Sequence, residues 1–164
     1  MYVLTIDQRG SSADIDRVPE LLGGLRRTSG TFERSVGDEV QGVLAEPAEV
    51  VDVALHALRS GLWYVGIGIG HVNEPLPASP REGSGAAFVA ARQAVDRAKA
   101  AASHVPLAVM SGVRRGAAEA GRGESGARAC ANAEAVLRLV GRLVRERTEA
   151  QWRVVDALRA RNGR

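Results

Sequence analysis

Two acidic side chains, Asp7 and Asp38, stand where a fold could hold a divalent cation. Asp7 ends the apolar stretch 2–7, and Asp38 follows Gly37 between two stretches of β-favouring residues. A Gly-Asp pair in that setting favours a tight β-hairpin, because Gly tolerates positive φ and Asp hydrogen-bonds the turn backbone. Carboxylates at neighbouring loop tips can hold Mg²⁺ or Mn²⁺. They are also ordinary turn residues, so both interpretations stay open.

A small loop rich in hydrogen-bond donors follows Asp7 and consists of Gly10, Ser11 and Ser12. A metal ion on the carboxylates would in turn hold phosphate oxygens, and the backbone of this loop would lie beside them. We therefore expect a ligand that carries phosphate. Glu39, which follows Asp38 directly, is expected to be exposed or structural rather than a ligand.

Other groups that could do chemistry give weaker signals. Cys130 is the only cysteine, which excludes a disulfide framework and a cysteine metal site. The three histidines lack the spacing of metal ligands. Arginines in the stretch 111–125 could contact nucleic acid, although a solvated surface loop is the more ordinary interpretation.

The composition is that of an ordinary globular protein, with 45% hydrophobic and 25% charged residues among 164. The formal net charge is +3, and Lys99 is the only lysine, so nearly all the positive charge is arginine. Such a charge could favour phosphate-bearing partners, but it does not by itself indicate nucleic-acid binding. The sequence has no signal-peptide pattern and no apolar run long enough to span a bilayer. We therefore expect a cytoplasmic protein without a membrane partner.

Hydrophobic periodicity predicts alternating strands and helices. Strands are predicted at 2–7, 31–36, 40–45, 62–70 and 105–110, and helices at 13–27, 47–59, 85–102, 126–146 and 148–161. Pro19 lies in the early part of the first helix and can mark either a kink or a delayed start. In the fourth strand, Gly66, Gly68 and Gly70 share one face, which lets a helix or a ligand approach the sheet closely, and of the two a helix is the more ordinary occupant.

The order of these elements predicts an α+β fold, an α/β sandwich. Its first six elements form the ferredoxin-like βαββαβ arrangement, followed by an extra strand and helices. We expect an antiparallel sheet with the helices on one side. The predicted domain covers 1–125, and 126–164 forms C-terminal helices. In this topology the first and third strands are neighbours, so Asp7 and Asp38 are expected to lie close together.

Several motifs resemble those of class III nucleotide cyclases, over roughly residues 2–98. The stretch 6–12 is similar to their first metal motif and 36–39 to their second, while 65–71 and 90–92 match later parts of the scheme. The resemblance implies the same fold and the following site residues: Asp7 and Asp38 as metal ligands, Arg92 as the arginine that stabilises the transition state, and Arg34 at the base-selecting position.

Two positions depart from the cyclase pattern. Phe88 stands where these cyclases have a ribose-orienting asparagine, and Arg81 stands where they have a base-selecting aspartate. The resemblance therefore implies a cyclase-like pocket without efficient cyclase activity. Because class III cyclases work as dimers with sites at the interface, it also implies a homodimer.

A second resemblance is to the small bacterial SatD family. It rests on the run from Gly37 to Gly42, on the glycine-rich fourth strand and on the stretch 85–88. Members of that family often end in a helix-turn-helix, and 147–152 resembles its first helix. The recognition helix would lie beyond Arg164, so DNA binding is expected only if a full helix-turn-helix follows.

These observations lead to three functional hypotheses. The first is a regulatory or sensor domain that binds a nucleotide or other phosphorylated small ligand through Mg²⁺ or Mn²⁺ and is coupled to a C-terminal DNA-binding helix-turn-helix. Gly10, Ser11, Ser12, Gly37 and Arg34 would line the ligand. The second is a divergent nucleotidyl cyclase or transferase. The third is a DNA-binding regulator whose cyclase-like half serves only as a dimerisation scaffold.

Overall fold

The structure, a computed structural model, describes residues 1–101, 104–112 and 120–162. The strands are β1 (Tyr2–Gln8), β2 (Thr31–Arg34), β3 (Glu39–Leu44), β4 (Trp63–Ile69) and β5 (Leu107–Ser111). The helices are α1 (Val18–Leu25), α2 (Pro47–Ser60), α3 (Ala86–Ala100), α4 (Ala120–Glu146) and α5 (Glu149–Asn162), with a short 3-10 helix at Pro80–Glu82. The strands form one sheet in the order β2-β3-β1-β4-β5. This arrangement confirms the predicted α+β fold class.

Local sequence signals explain several element boundaries. α1 begins only at Val18, with Pro19 in its first turn, where the missing amide costs no helical hydrogen bond. Gly61 ends α2 in the left-handed conformation, with φ +74°, which glycine adopts without strain. Thr148 and Gln151 form a capping box before α5, since the amide of each donates to the side chain of the other, at 2.9 and 3.3 Å.

β1 is the central strand of the sheet and is antiparallel to both β3 and β4. β2 is antiparallel to β3. β5 is parallel to β4, because α3 crosses over between them and returns the chain to the same direction. The antiparallel pattern that we predicted thus holds for β1 to β4, and β5 makes the sheet mixed.

The helices cover both faces of the sheet. α1, α2 and α4 share the main core with Leu4 and Ile6 of β1, whereas α3 lies across the opposite face. The prediction that the helices lie on one side is therefore wrong for α3. The physical reason is the bare face of β4: a Cβ on Gly66 would stand 2.5 Å from the Ala91 carbonyl oxygen, and one on Gly68 would stand 2.9 Å from the Ala91 Cα.

Side chains of α4 cover the free edge of β5. A carboxylate oxygen of Glu134 accepts the backbone N–H of Val109 at 2.8 Å, and Nε of Arg138 donates to the Leu107 carbonyl at 2.9 Å. Arg97 of α3 forms an ion pair with the same glutamate. These groups take the hydrogen-bonding positions that a further strand would occupy.

The predicted loop 111–125 is only partly described. β5 ends at Ser111, residues 113–119 lie outside the described part, and α4 begins at Ala120. The division that we predicted after residue 125 thus falls within α4, whose Cys130 is buried in the main core. In the described ranges, no helix combines the length and the hydropathy that crossing a bilayer requires.

Gly68→Ala is expected to lower the free energy of unfolding by about 3 kcal/mol, because the added methyl group forces α3 away from β4. Urea unfolding followed by circular dichroism measures the change. Gly23→Ala is the matched control: Gly23 lies in α1 with nothing within 4 Å of an added Cβ, so its replacement should raise stability slightly. Equal stability of Gly68→Ala and wild type would show that the close contact is not required.

Glu134→Ala is expected to cost about 2 kcal/mol, because it removes a charged acceptor from the Val109 amide and leaves two arginines without their partner. The same unfolding measurement applies. Glu146→Ala, on the same helix but paired only with the exposed Arg142, should change stability by less than about 0.5 kcal/mol. A similar loss in both variants would contradict the proposed role of Glu134.

Candidate functional site

The sheet places two carboxylates side by side beneath α3. Asp7 on β1 pairs directly with Glu39 on β3. Both side chains lie on the face that α3 covers, and the two residues are only 9% and 5% exposed. Two acids at this depth would repel each other, so cations must compensate them.

Those cations come from α3. Nζ of Lys99 donates to Oδ2 of Asp7 at 2.7 Å, and Arg92 donates to Glu39. Arg92 and Lys99 are seven positions apart, which is about two helical turns, so both point from the same face of the helix. We call Asp7, Glu39, Arg92 and Lys99 the charge cluster.

The β2–β3 turn borders the charge cluster. Gly37 has φ +58°, as the predicted turn requires, and the backbone N–H of Gln8 donates to the Asp38 carbonyl at 3.3 Å. The charge of Asp38 also acts on the pKa of Asp7. The two predicted metal ligands, Asp7 and Asp38, are therefore brought together at the end of β1.

Burial controls the ionisation of the two acids. Desolvation raises the pKa of Asp7 above its ordinary value of 3.8, and the hydrogen bond and charge of Lys99 only partly offset this. Desolvation likewise raises the pKa of Glu39 above 4.5, against the opposing charge of Arg92. Because the pKa of Asp7 is higher in the folded protein, its protonated form favours the folded state. This contribution to the free energy of unfolding is complete below about pH 3.8 and is lost as the pH rises through the raised pKa.

The residues expected to line a ligand surround this end of the sheet. Gly10 has φ +67° and closes a turn in which its carbonyl accepts the Ala13 amide at 2.9 Å. Ser11 and Ser12 in this turn are exposed. Arg34 donates from Nη1 to the Gly37 carbonyl at 2.6 Å, so it holds the hairpin turn.

Arg34 also makes an ion pair with Asp16, at 2.5 Å. Its guanidinium lowers the pKa of Asp16, chiefly through that hydrogen bond. Arg34 therefore connects the hairpin turn to the segment before α1, and contact with a nucleobase would require it to leave this partner.

Phe88 and Arg81, which depart from the cyclase pattern, differ in what their side chains do, since only Phe88 has a structural role for its side chain. Phe88 is buried in a small core with Val3 and Val72, and its ring fills the space beside Gly83. The backbone N–H of Arg81 donates to the carboxylate of Glu33 at 3.1 Å. A phenyl ring held in a core offers no hydrogen bond to a ribose.

The donor set at this site suits a hard divalent cation in type. Mg²⁺ in proteins is commonly held by one or two carboxylates and keeps several waters, so Asp7 and Asp38 would suffice. The described part of the chain contains no cluster of three or more acidic, histidine or cysteine side chains arranged for a metal. Lys99 already neutralises Asp7, so the residues fit a metal only if its ammonium group moves aside.

The sequence interpretation missed Lys99. Glu39 was expected to be exposed or structural rather than a ligand, and of these two alternatives the structure shows the second, since it is buried and paired. The available signal was modest: Lys99 is the only lysine of the chain and follows Arg92 by two helical turns. Its partner Asp7 lies 92 positions away, which no local pattern links to α3.

Comparison of the chain with protein-family models and with curated proteins gives no match. The likeness to class III cyclases and to the SatD family therefore rests on the motifs and remains a hypothesis.

Lys99→Met is expected to raise the pKa of Asp7 further, because it removes both the hydrogen bond and the charge that oppose desolvation. Carbon-13 NMR titration of the aspartate carboxyl groups measures this directly. Arg142→Met removes one positive charge from α4, where the arginine pairs with Glu146, and should leave the pKa of Asp7 unchanged. An unmoved Asp7 titration in Lys99→Met would refute the proposed control of this carboxyl by Lys99.

Proposed function

We propose that this chain is a regulatory domain that binds a nucleotide or another phosphorylated small molecule at the charge cluster. The observation that carries the proposal is that α3 holds two cations on two buried carboxylates at one end of the sheet. The hairpin turn and the loop at 10–12 border the same place. Positive charge and hydrogen-bond donors next to acids are the components that a metal–phosphate ligand needs.

The exposures of the partners indicate which of them would move. The side chains of Arg92 and Lys99 are 59% and 37% exposed, while those of Glu39 and Asp7 are 7% and 12% exposed. The cations therefore reach in from the surface and can turn outward, whereas the acids are fixed in the sheet. Phosphate oxygens would take Lys99 as a new partner and would share the several donors of Arg92 with Glu39.

The Asp7 carboxylate, released by Lys99, would need another cation. Asp7 and Asp38 would hold Mg²⁺ or Mn²⁺, which supplies positive charge to phosphate oxygens. Each charge then keeps a partner of opposite sign. The contact between Lys99 and Asp7 is replaced by two contacts, one between Lys99 and phosphate and one between Asp7 and the metal. Backbone and hydroxyl donors of Gly10, Ser11 and Ser12 would complete the phosphate contacts.

A sensor is favoured over an efficient enzyme. Phe88 occupies the ribose-orienting position of the cyclase resemblance and is committed to a core. Phosphoryl chemistry depends on exact positioning, so loss of the ribose contact should reduce turnover more than it reduces triphosphate binding. A divergent cyclase, with Arg92 as its transition-state residue, is the alternative.

The C-terminal helices would transmit the bound state. We propose that α5, which starts with a capping box, is the first helix of a helix-turn-helix and that DNA binding needs a recognition helix beyond Arg164. We also propose a homodimer. Large apolar side chains exposed along one side of α4 support it: Val136, Leu139 and Leu143.

Calorimetric titration of ATP and of GTP, each with Mn²⁺, tests the proposal. Wild type is expected to bind one of them with micromolar affinity, and the Asp7→Ala, Asp38→Ala double variant is expected to give no heat, because both metal-binding carboxylates are gone. The matched control is Glu46→Ala, Asp52→Ala, which removes two exposed acids from the region of α2 and should bind like wild type.

Chromatography of the same mixtures separates the alternatives. Binding without a cyclic product supports the sensor, and a cyclic product would make the chain an enzyme. Absence of heat with both nucleotides in wild type would contradict nucleotide binding and leave the dimerisation scaffold as the remaining hypothesis.

A further inference from the structure

A groove lies on the side of the molecule away from the charge cluster, between α2 and the first half of α5. Its volume is about 880 Å³, within the range of about 300–1,000 Å³ that is typical of small-molecule sites. We call it the α2–α5 groove. It lies on the face of the sheet that α1 and α2 cover, whereas the charge cluster lies under α3.

The walls of the α2–α5 groove carry both tryptophans of the chain. Trp63 at the start of β4 and Trp152 on α5 are almost fully buried, and Leu21 of α1 adds to the same apolar lining. The apolar atoms that these residues present to the groove can contact a ring or an alkyl group of a ligand.

Two arginines meet at one of these rings. The guanidinium of Arg59 lies 3.9 Å from the centre of the Trp152 ring, and that of Arg147 lies 5.0 Å from the same ring. Arg59 is neutralised by Asp156, through two hydrogen bonds of 2.8 and 3.0 Å. Of the two like charges at this indole, only that of Arg59 is paired with a carboxylate.

The remaining positive charge is uncommitted. Among the described residues, the guanidinium groups of Arg147 and Arg153 make no ion pair and no hydrogen bond, although both line the groove. Glu20 and Glu149 also line it, so the lining is mixed in sign. What distinguishes the two arginines is that their fork-shaped donors are free to bind an oxyanion bidentately.

We propose that the α2–α5 groove is a second binding site, for a small organic phosphate. Arg147 and Arg153 would bind the phosphate oxygens, and the organic group would lie against the tryptophans. Because Trp63 belongs to β4 and both phosphate-binding arginines belong to the α5 side, a bound ligand would hold α5 against the sheet.

The two tryptophans provide the measurement. Phenyl phosphate is the probe, since it joins a dianion to an aromatic ring, and tryptophan fluorescence is followed during titration. Wild type is expected to show a saturable change. Arg147→Gln, Arg153→Gln is expected to weaken binding by about tenfold for each lost charged contact.

Arg161→Gln is the control, because it removes one arginine charge from α5 outside the groove lining, and it should bind like wild type. Asp7→Ala, Asp38→Ala should also respond like wild type, which separates this site from the charge cluster. Phosphorus-31 NMR line broadening of the probe serves as an independent readout.

Three results would overturn the proposal. They are no saturable change with millimolar probe in wild type, equal binding by wild type and the double arginine variant, and an equal loss in Arg161→Gln, which would mean attraction by overall charge alone. Inorganic phosphate as a second probe shows whether the aromatic part contributes: binding as tight as that of phenyl phosphate would refute the role of the tryptophans.

Discussion

The contact of α3 with the backbone of β4 is the constraint on which the rest of this structure depends. Gly66 and Gly68 have no side chains to keep the helix at a distance, and neighbouring atoms of α3 fill the positions their Cβ atoms would take. Because α3 lies so close to the sheet, the side chains of Arg92 and Lys99 can contact the buried acids on β3 and β1. A sheet surface with ordinary side chains would hold α3 farther from the strands.

The charge cluster has the character of a compensated pair of ions rather than of a stabilising bridge. Burial makes both carboxylates harder to ionise, so part of the attraction to α3 is spent on their desolvation. The two cations are accessible from the surface, whereas the two acids are fixed in the sheet. Each acid can therefore exchange its cation for another positively charged partner. A site of this kind is compatible with ligand binding, because the structure already tolerates both signs of charge at that position.

Local signals in the sequence were sufficient for the element order and the glycine turn at Gly37. The first helix was predicted from residue 13, but it begins only at Val18, with Pro19 in its first turn. Topology then placed Asp7 beside Asp38. The pairing of Asp7 with Lys99 was not accessible, because it depends on which face of the sheet receives α3, and both faces of β1 are apolar enough to accept a helix. The burial of Glu39 was left open for the same reason, since a turn-proximal glutamate is exposed unless a helix lies above it.

The cover that α4 places over β5 has a consequence for the behaviour of a partly folded chain. Glu134 and Arg138 satisfy backbone groups that would otherwise be open to pairing. If α4 detaches while the sheet persists, those groups become a template for a strand from another molecule. Resistance to aggregation in this protein therefore depends on a helix rather than on the strand it protects.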